Sequence, residues 1–196
     1  MQHVFLPKCY ILGMLGFILA LAETAWIAAC EQIQENANVA TYARMAYTDM
    51  MTGLGNRAAF QRDSAADASF GGALAYVMMD ANNLKVINDS MGHHRGDELL
   101  LQIAACLKRA LGQKMSGYRL GGDEFAVRLK DVSQLETEAF AEALRREIAA
   151  ADSQNELTIS AAIGYAWTDC NPKDPEALLH QADNAMYEIK KQMKKQ

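Results

Sequence analysis

Two acidic features in this chain have the composition and spacing to bind a metal ion. Asp80 closes the apolar run Ala73-Leu74-Ala75-Tyr76-Val77-Met78-Met79, and Asp123 and Glu124 follow Gly121-Gly122 between two β-prone stretches. Carboxylates converging from neighbouring strands at one sheet edge suit Mg²⁺, a hard cation that takes one or two carboxylates and leaves its other positions to water and substrate phosphates. That is a donor set for nucleotidyl transfer. Each feature alone is ordinary, since acidic turns are usually solvated tips; their pairing is what points to chemistry. His93 and His94 are adjacent in sequence and so do not project toward one ion; they read as structural or loop residues. Cys9, Cys30, Cys106 and Cys170 lack CxxC spacing, which indicates neither zinc nor a disulfide framework and favours a reducing compartment.

The elements that must position these acids can be read from periodicity. The run before Asp80 has strand length and no alternation, as expected of a central strand covered on both faces. Residues 118–120 and 125–129 flank Gly121-Gly122, a dipeptide favoured in two-residue hairpin turns, which puts Asp123 and Glu124 at the tip. Asn56 is placed to cap a helix carrying Ala58, Ala59 and Phe60. Asp97 to Leu111 reads as an amphipathic helix with Leu100, Ile103, Leu107 and Leu111 on one face, closed by Gly112. A helix through Phe140, Leu144 and Ile148 follows, then a strand over 157–165 with Leu157, Ile159, Ala161 and Ile163 on one face. Asp174-Pro175 opens the last helix as N-cap and first-turn proline. The order βααββαβα predicts an α/β (α+β) sandwich, with a mostly antiparallel central sheet flanked by helices.

The formal net charge of −5 excludes a broad basic footprint and with it non-specific nucleic-acid binding and a template-directed polymerase. Residues 9–30 form an apolar segment, with Glu23 its sole charge, that would span about 33 Å as a helix. A membrane span is the first reading, because Trp26 and the apolar residues after it extend the run beyond a signal-peptide core. A cleaved signal peptide and a dimerising amphipathic helix are the alternatives. Residues 31–48 read as a connecting helix, with Ile33, Ala37, Ala40 and Tyr47 at near-heptad spacing. The expected organisation is an anchor over 1–30, a connector over 31–48 and a catalytic domain over 49–196.

Three blocks, in order, carry a family resemblance. Arg119-Leu120-Gly121-Gly122-Asp123-Glu124-Phe125 resembles the signature of GGDEF diguanylate cyclases. Thr48-Asp49-Met50-Met51-Thr52-Gly53-Leu54-Gly55-Asn56-Arg57 resembles that family's TDxLTGLxNR opening. The stretch from Asp80 through Asn82, Lys85, Asn88 and Asp89, continuing with Gly92-His93 and Gly96-Asp97, resembles its DxDxFKxINDxxGHxxGD block. The resemblance implies a palm-like nucleotidyl cyclase fold and the condensation of two GTP molecules into cyclic di-GMP. It assigns Asp80 and Asp123 as metal carboxylates, with the Ala81 carbonyl and Glu124 as further contacts, for Mg²⁺ with Mn²⁺ as the alternative. It assigns Asn88 and Asp97 to guanine and Lys85, Lys190 and Lys194 to triphosphate.

Some positions depart from the family pattern. Asn82 stands for the usual acid, Leu84 for the usual aromatic, and Met193-Lys194 for the Gly-Arg of the closing KxxGRN motif. An arginine fork there becomes a point charge. The RxxD inhibitory motif is absent, because Gln113 and Ser116 occupy its positions, so no inhibitory site is expected. The resemblance further implies a homodimer with one GTP per subunit, and a cytoplasmic catalytic domain on the inner membrane. It leaves room for an upstream sensor module, and for a catalytically silent GGDEF domain that binds GTP or a partner protein.

Overall fold

The computed structural model describes residues 5–152, 157–169 and 174–195. The chain divides into two compact units, Met1–Arg44 and Met45–Gln196. A single helix, α1 (Phe5–Tyr47), carries the described part of the first unit, so the expected anchor and connector are continuous. Its large apolar side chains among the described residues, including Met14, Phe17, Ile18, Leu21 and Trp26, are exposed. Within it Gly13–Asn36, with mean hydropathy 1.7, is long and apolar enough to cross a membrane by length and composition. Ile33 and Tyr47 of the near-heptad set are exposed, while the side chains of Ala37 and Ala40 lie outside the described residues. Cys30 and Cys106 are free thiols, and the Cys9 side chain and Cys170 lie outside the described residues.

The second unit contains α2 (Arg57–Ala65), a 3₁₀ turn (Ala66–Ser69), β1 (Leu74–Ala81), α3 (Leu84–Met91), α4 (His93–Ala110), β2 (Met115–Gly121), β3 (Glu124–Lys130), α5 (Gln134–Asp152), β4 (Ala161–Thr168) and α6 (Pro175–Met193). The strands form one sheet in the order β2-β3-β1-β4, antiparallel at every pairing. All eight residues of β1 are buried, as its unbroken apolar run requires. Ala75, Val77 and Met79 face a cluster built with Leu99, Leu100, Ile103, Leu107, Phe140 and Leu144 of α4 and α5. Leu74, Tyr76 and Met78 face Phe60 of α2 and Leu178, Ala182 and Met186 of α6. Each fully buried large apolar side chain stabilises the fold by about 1.5–3 kcal/mol relative to exposure.

The caps read from sequence are present. The Asn56 side chain accepts from Ala59 N, and that of Asp174 from Glu176 N and Ala177 N. Other expectations need correction. Strand β1 does not stop before Asp80 but continues through Ala81, because Asp80 pairs with both Glu124 and Ala162 in the ladder. The hairpin turn is Gly122-Asp123, not Gly121-Gly122, since a bulge between Arg119 and Gly121 moves the closing pair to Gly121 and Glu124. Helix α4 begins at His93, and α3 precedes it as a separate helix that the periodicity did not distinguish. Strand β4 starts at Ala161 rather than Leu157. Leu157 and Ile159 are buried in the same cluster as Ile163, but Ile159 N donates to the Asp152 side chain at 2.6 Å instead of to a strand.

Two close contacts fix the helices on the α2/α6 face. A Cβ at Gly164 would lie 2.0 Å from Met186 N, so β4 and α6 pack backbone against backbone. Asp67, fully buried, accepts from Tyr76 Oη at 2.7 Å and from Arg128 Nε at 2.6 Å, and the second Arg128 nitrogen bonds its other oxygen. Burial and that hydrogen bond keep Tyr76 protonated far above the usual phenol range. Removing one partner of such a pair strands the other charge. Asp67→Ala is therefore expected to lower unfolding free energy by about 3 kcal/mol in urea titrations; an unchanged midpoint would show that the network contributes nothing.

Candidate active site

The acids gather where β1 ends and the β2–β3 hairpin turns. Asp80 and Glu124 are ladder partners, and cross-strand partners project on the same face, here the face of α6. The turn is tied to the central strand by Ala81 N, which donates to Asp123 O at 2.9 Å. Lys190, near the end of α6, places Nζ 2.5 Å from Asp80 Oδ2. Asp80 Oδ1 is buried and has no hydrogen-bond partner. Burial pushes the Asp80 carboxyl above its ordinary value and the charge of Asp123 adds to this, while Lys190 and Lys194 oppose it.

Two clefts meet here. One of about 360 Å³ is lined by Ala81, Lys85, Asp123, Ser160, Lys190 and Lys194, together with Asn82 and Met193. The other, of about 440 Å³, is lined by Asp80, Glu124, Tyr187, Lys190 and Lys194, among others. Lys190 and Lys194 line both, as residues four apart at a helix end should. Lys85 sits in the first turn of α3, whose N-terminus follows Asn83 in the left-handed conformation (φ 63°) and has no side-chain cap. Uncapped N–H groups at a helix start favour anions. The site thus combines two interacting carboxylates with three lysines.

That donor set fits a divalent cation completed by phosphate oxygens. Asp80 keeps one buried oxygen without a partner and the other against a cationic lysine, and the neighbouring Asp123 charge disfavours its ionisation; a cation would relieve both. Among the described residues no group of three His, Cys, Asp or Glu side chains is gathered for a metal. Glu124 instead ion-pairs with Arg57 at 3.4 Å, and its side chain is 48% exposed.

Asn88 and Asp97 line neither of these clefts. Asn88 follows Lys85 by one turn of α3, and Asp97 is exposed near the start of α4, beyond the Gly92 corner (φ 85°). Asn88 Oδ1 is buried and also has no partner. Gly96 presses against it, since a Cβ there would sit 1.9 Å from that oxygen. Both side chains carry acceptor oxygens, the kind of group that suits a base edge bearing donors.

Sequence reading assigned no role to several residues that shape the site. Arg119, in β2, donates to Gly122 O at 2.9 and 3.2 Å and reaches Asp49 at 3.5 Å. Asp49 in turn accepts from Thr52 N and Oγ1, which braces the turn against the segment before α2. Arg119 stood in the quoted signature, but its partner is seventy positions away and no local pattern reveals it. Asn82, the neutral replacement for an acid, donates to Ser160 Oγ at 3.1 Å and to Met193 Sδ at 3.6 Å. Two of the departures from the family pattern, Asn82 and Met193, are therefore in contact.

Residues 46–196 match the family described as "Diguanylate cyclase, GGDEF domain". The chain belongs to that GGDEF-domain family. It is 38% identical over 170 residues to diguanylate cyclase DgcN of Escherichia coli K12, covering 82% of this chain and 41% of that protein. It thus spans about two-fifths of that relative's length. The GGDEF domain of TpbB from Pseudomonas aeruginosa superposes with a TM-score of 0.64 at 35% identity, covering 74% of this chain and 90% of that one. The coiled coil and GGDEF domain of DgcB from Caulobacter crescentus, solved with c-di-GMP, gives a TM-score of 0.77 at 23% identity, covering 87% and 94%, a likeness of fold.

The Asp80–Lys190 contact can be tested by titration. The folded pKa of Asp80 is raised, so its stabilising contribution is present below the unfolded value and fades as pH climbs through the folded one. Lys190→Met removes an interaction that lowers that pKa. The Asp80 carboxyl carbon is therefore expected to titrate at higher pH in the variant by NMR; titration at the parental pH would refute the contact.

Proposed function

We propose that this domain is a diguanylate cyclase subunit, two copies of which, each holding one GTP, form cyclic di-GMP and two pyrophosphates. The observation that carries the reading is that Asp80 and Asp123 interact across two clefts that share Lys190 and Lys194, with Lys85 lining the one that Asp123 enters. Bound Mg²⁺, with Mn²⁺ as the alternative, supplies charge neutralisation on the triphosphate and acidifies the attacking hydroxyl. Asp80 and Asp123 hold the ion, with the Ala81 backbone and the Glu124 carboxylate as further contacts. The lysines neutralise triphosphate oxygens, a local positive charge that the net charge of −5 conceals.

The 3′-hydroxyl of one nucleotide attacks the α-phosphorus of the other in line. A new P–O ester bond forms, the bond to pyrophosphate breaks, and the hydroxyl proton is lost; repeating this with the roles reversed closes the ring. Each domain supplies one nucleotide, so two must meet. Asn88 Oδ1 and the Asp97 carboxylate accept from guanine N1–H and its 2-amino group. Adenine offers neither donor, and a site built around those bonds rejects it strongly. Helix α1 anchors the domain to the inner membrane through Gly13–Asn36 and holds two copies at high effective concentration, leaving the domain in the cytoplasm with its substrate. A sensor module acting on α1 fits this arrangement. The alternative, a silent GGDEF domain that binds GTP or a protein, draws on Met193 and Lys194 standing where the family has Gly and Arg.

Incubating the protein with GTP and Mg²⁺ is expected to yield cyclic di-GMP and pyrophosphate, with specific activity falling on dilution once residues 1–45 are removed. No product even from an enforced dimer that binds GTP would establish the silent domain. Gly96→Ala is expected to displace Asn88 and weaken GTP binding by about tenfold, the cost of roughly one lost hydrogen bond, with ATP binding unaffected; equal GTP affinity would remove Asn88 from the base site.

A further inference from the structure

The bulge that shapes the acidic hairpin is held by a residue from outside the sheet. Leu120 is the extra residue of β2, lying between the Arg119–Phe125 and Gly121–Glu124 pairs. A bulged residue is left out of the ladder, and its backbone groups need another partner. Here Leu120 O accepts from Arg57 Nε at 2.7 Å. The same guanidinium reaches across the hairpin to Glu124 Oε2 at 3.4 Å. It lies along Gly121, where a Cβ would be 4.0 Å from Nη2. Arg57 is the first residue of α2, and the Asn56 cap fixes the direction from which it enters.

From this geometry we infer that Arg57 is a positioning residue for the reaction: its rigid fork joins the bulge carbonyl to the Glu124 carboxylate and so sets the register of the metal-binding turn. Arg119 holds the next carbonyl but one, Gly122 O. Two guanidiniums thus grip alternate carbonyls on either side of Gly121, whose φ of 140° and the φ of 54° at Gly122 leave the turn little stiffness of its own. Arg57 also neutralises Glu124 beside its ladder partner Asp80.

The Arg57 side chain is 60% exposed and Glu124 48% exposed, so the pair adds little to global stability. Its effect is local geometry. Lysine cannot reproduce it, having one nitrogen for two acceptors set at an angle.

The inference rests on the cyclase reading for its catalytic arm but not for its structural arm. In the full chain, Arg57→Ala is expected to leave the unfolding midpoint and the affinity for a non-hydrolysable GTP analogue unchanged. Amide exchange at Gly121 and Glu124 should accelerate about tenfold, with β1 amides unaffected. Turnover should fall by at least about tenfold at unchanged KM, and Arg57→Lys should recover little of it. Parental exchange at the hairpin would overturn the inference, as would parental turnover in Arg57→Ala. An equal loss of protection throughout the sheet would also overturn it, by making the role a general one in folding. If the parent chain makes no cyclic di-GMP, the cyclase reading fails by itself, and hairpin exchange still decides whether Arg57 sets the turn.

Discussion

The site depends on how closely α6 lies on the sheet. Lys190 reaches Asp80 because β4 and α6 meet backbone to backbone at Gly164, where any side chain would push the helix away. Helix ends are otherwise free to fray, and Lys190 stands only three residues before the last of α6. The packing at Gly164, Ala182 and Met186 therefore determines whether the final lysines form part of a phosphate cleft or a solvated tail. A glycine in a strand interior weakens the strand locally, and here that weakness is the cost of a close approach.

The same sheet makes the two ends of the site very unequal in rigidity. Strand β1 is clamped between β3 and β4 and buried at every position, so Asp80 has almost no freedom. Asp123 sits in a two-residue turn beside two glycines of positive φ, and it is positioned by what grips the turn: Ala81 N on Asp123 O, Arg119 on Gly122 O and Arg57 on Leu120 O. Asp49 then ties Arg119 to the segment that leads into α2. A displacement of residues 48–56 would be felt at the acidic hairpin turn through side chains rather than through the sheet ladder.

Much of this was legible in the sequence because it follows from local periodicity. The apolar run gave β1, the Gly-Gly dipeptide marked the hairpin, and Asn56 and Asp174 marked helix starts, since each signal lies within a few residues of its effect. The misread features share a cause. Asp80 looked like a strand end because it is polar, yet the ladder continues where a partner strand and a lysine receive it. The turn shifted by one residue because a bulge depends on how the two strands pair, which composition does not encode. Residues 157–160 had strand-like alternation but were captured by the Asp152 side chain. Arg57, Arg119 and Asp67 have partners between 61 and 70 positions away, so only the folded chain shows what they do.

Placing these groups in the site has an energetic consequence. Asp80 Oδ1 and Asn88 Oδ1 are both buried acceptors without partners, and each such atom costs about 1–3 kcal/mol relative to a satisfied one. A domain whose net stability is about 5–15 kcal/mol carries two of them only if the rest of the core offsets the cost. The doubly covered β1 and the fully bonded Asp67 network on the same sheet do so. One of the two unsatisfied atoms is at the end of β1 and the other in α3. A cation at the first and a hydrogen-bond donor at the second would recover both penalties, which is what the proposed metal and base roles of these residues require.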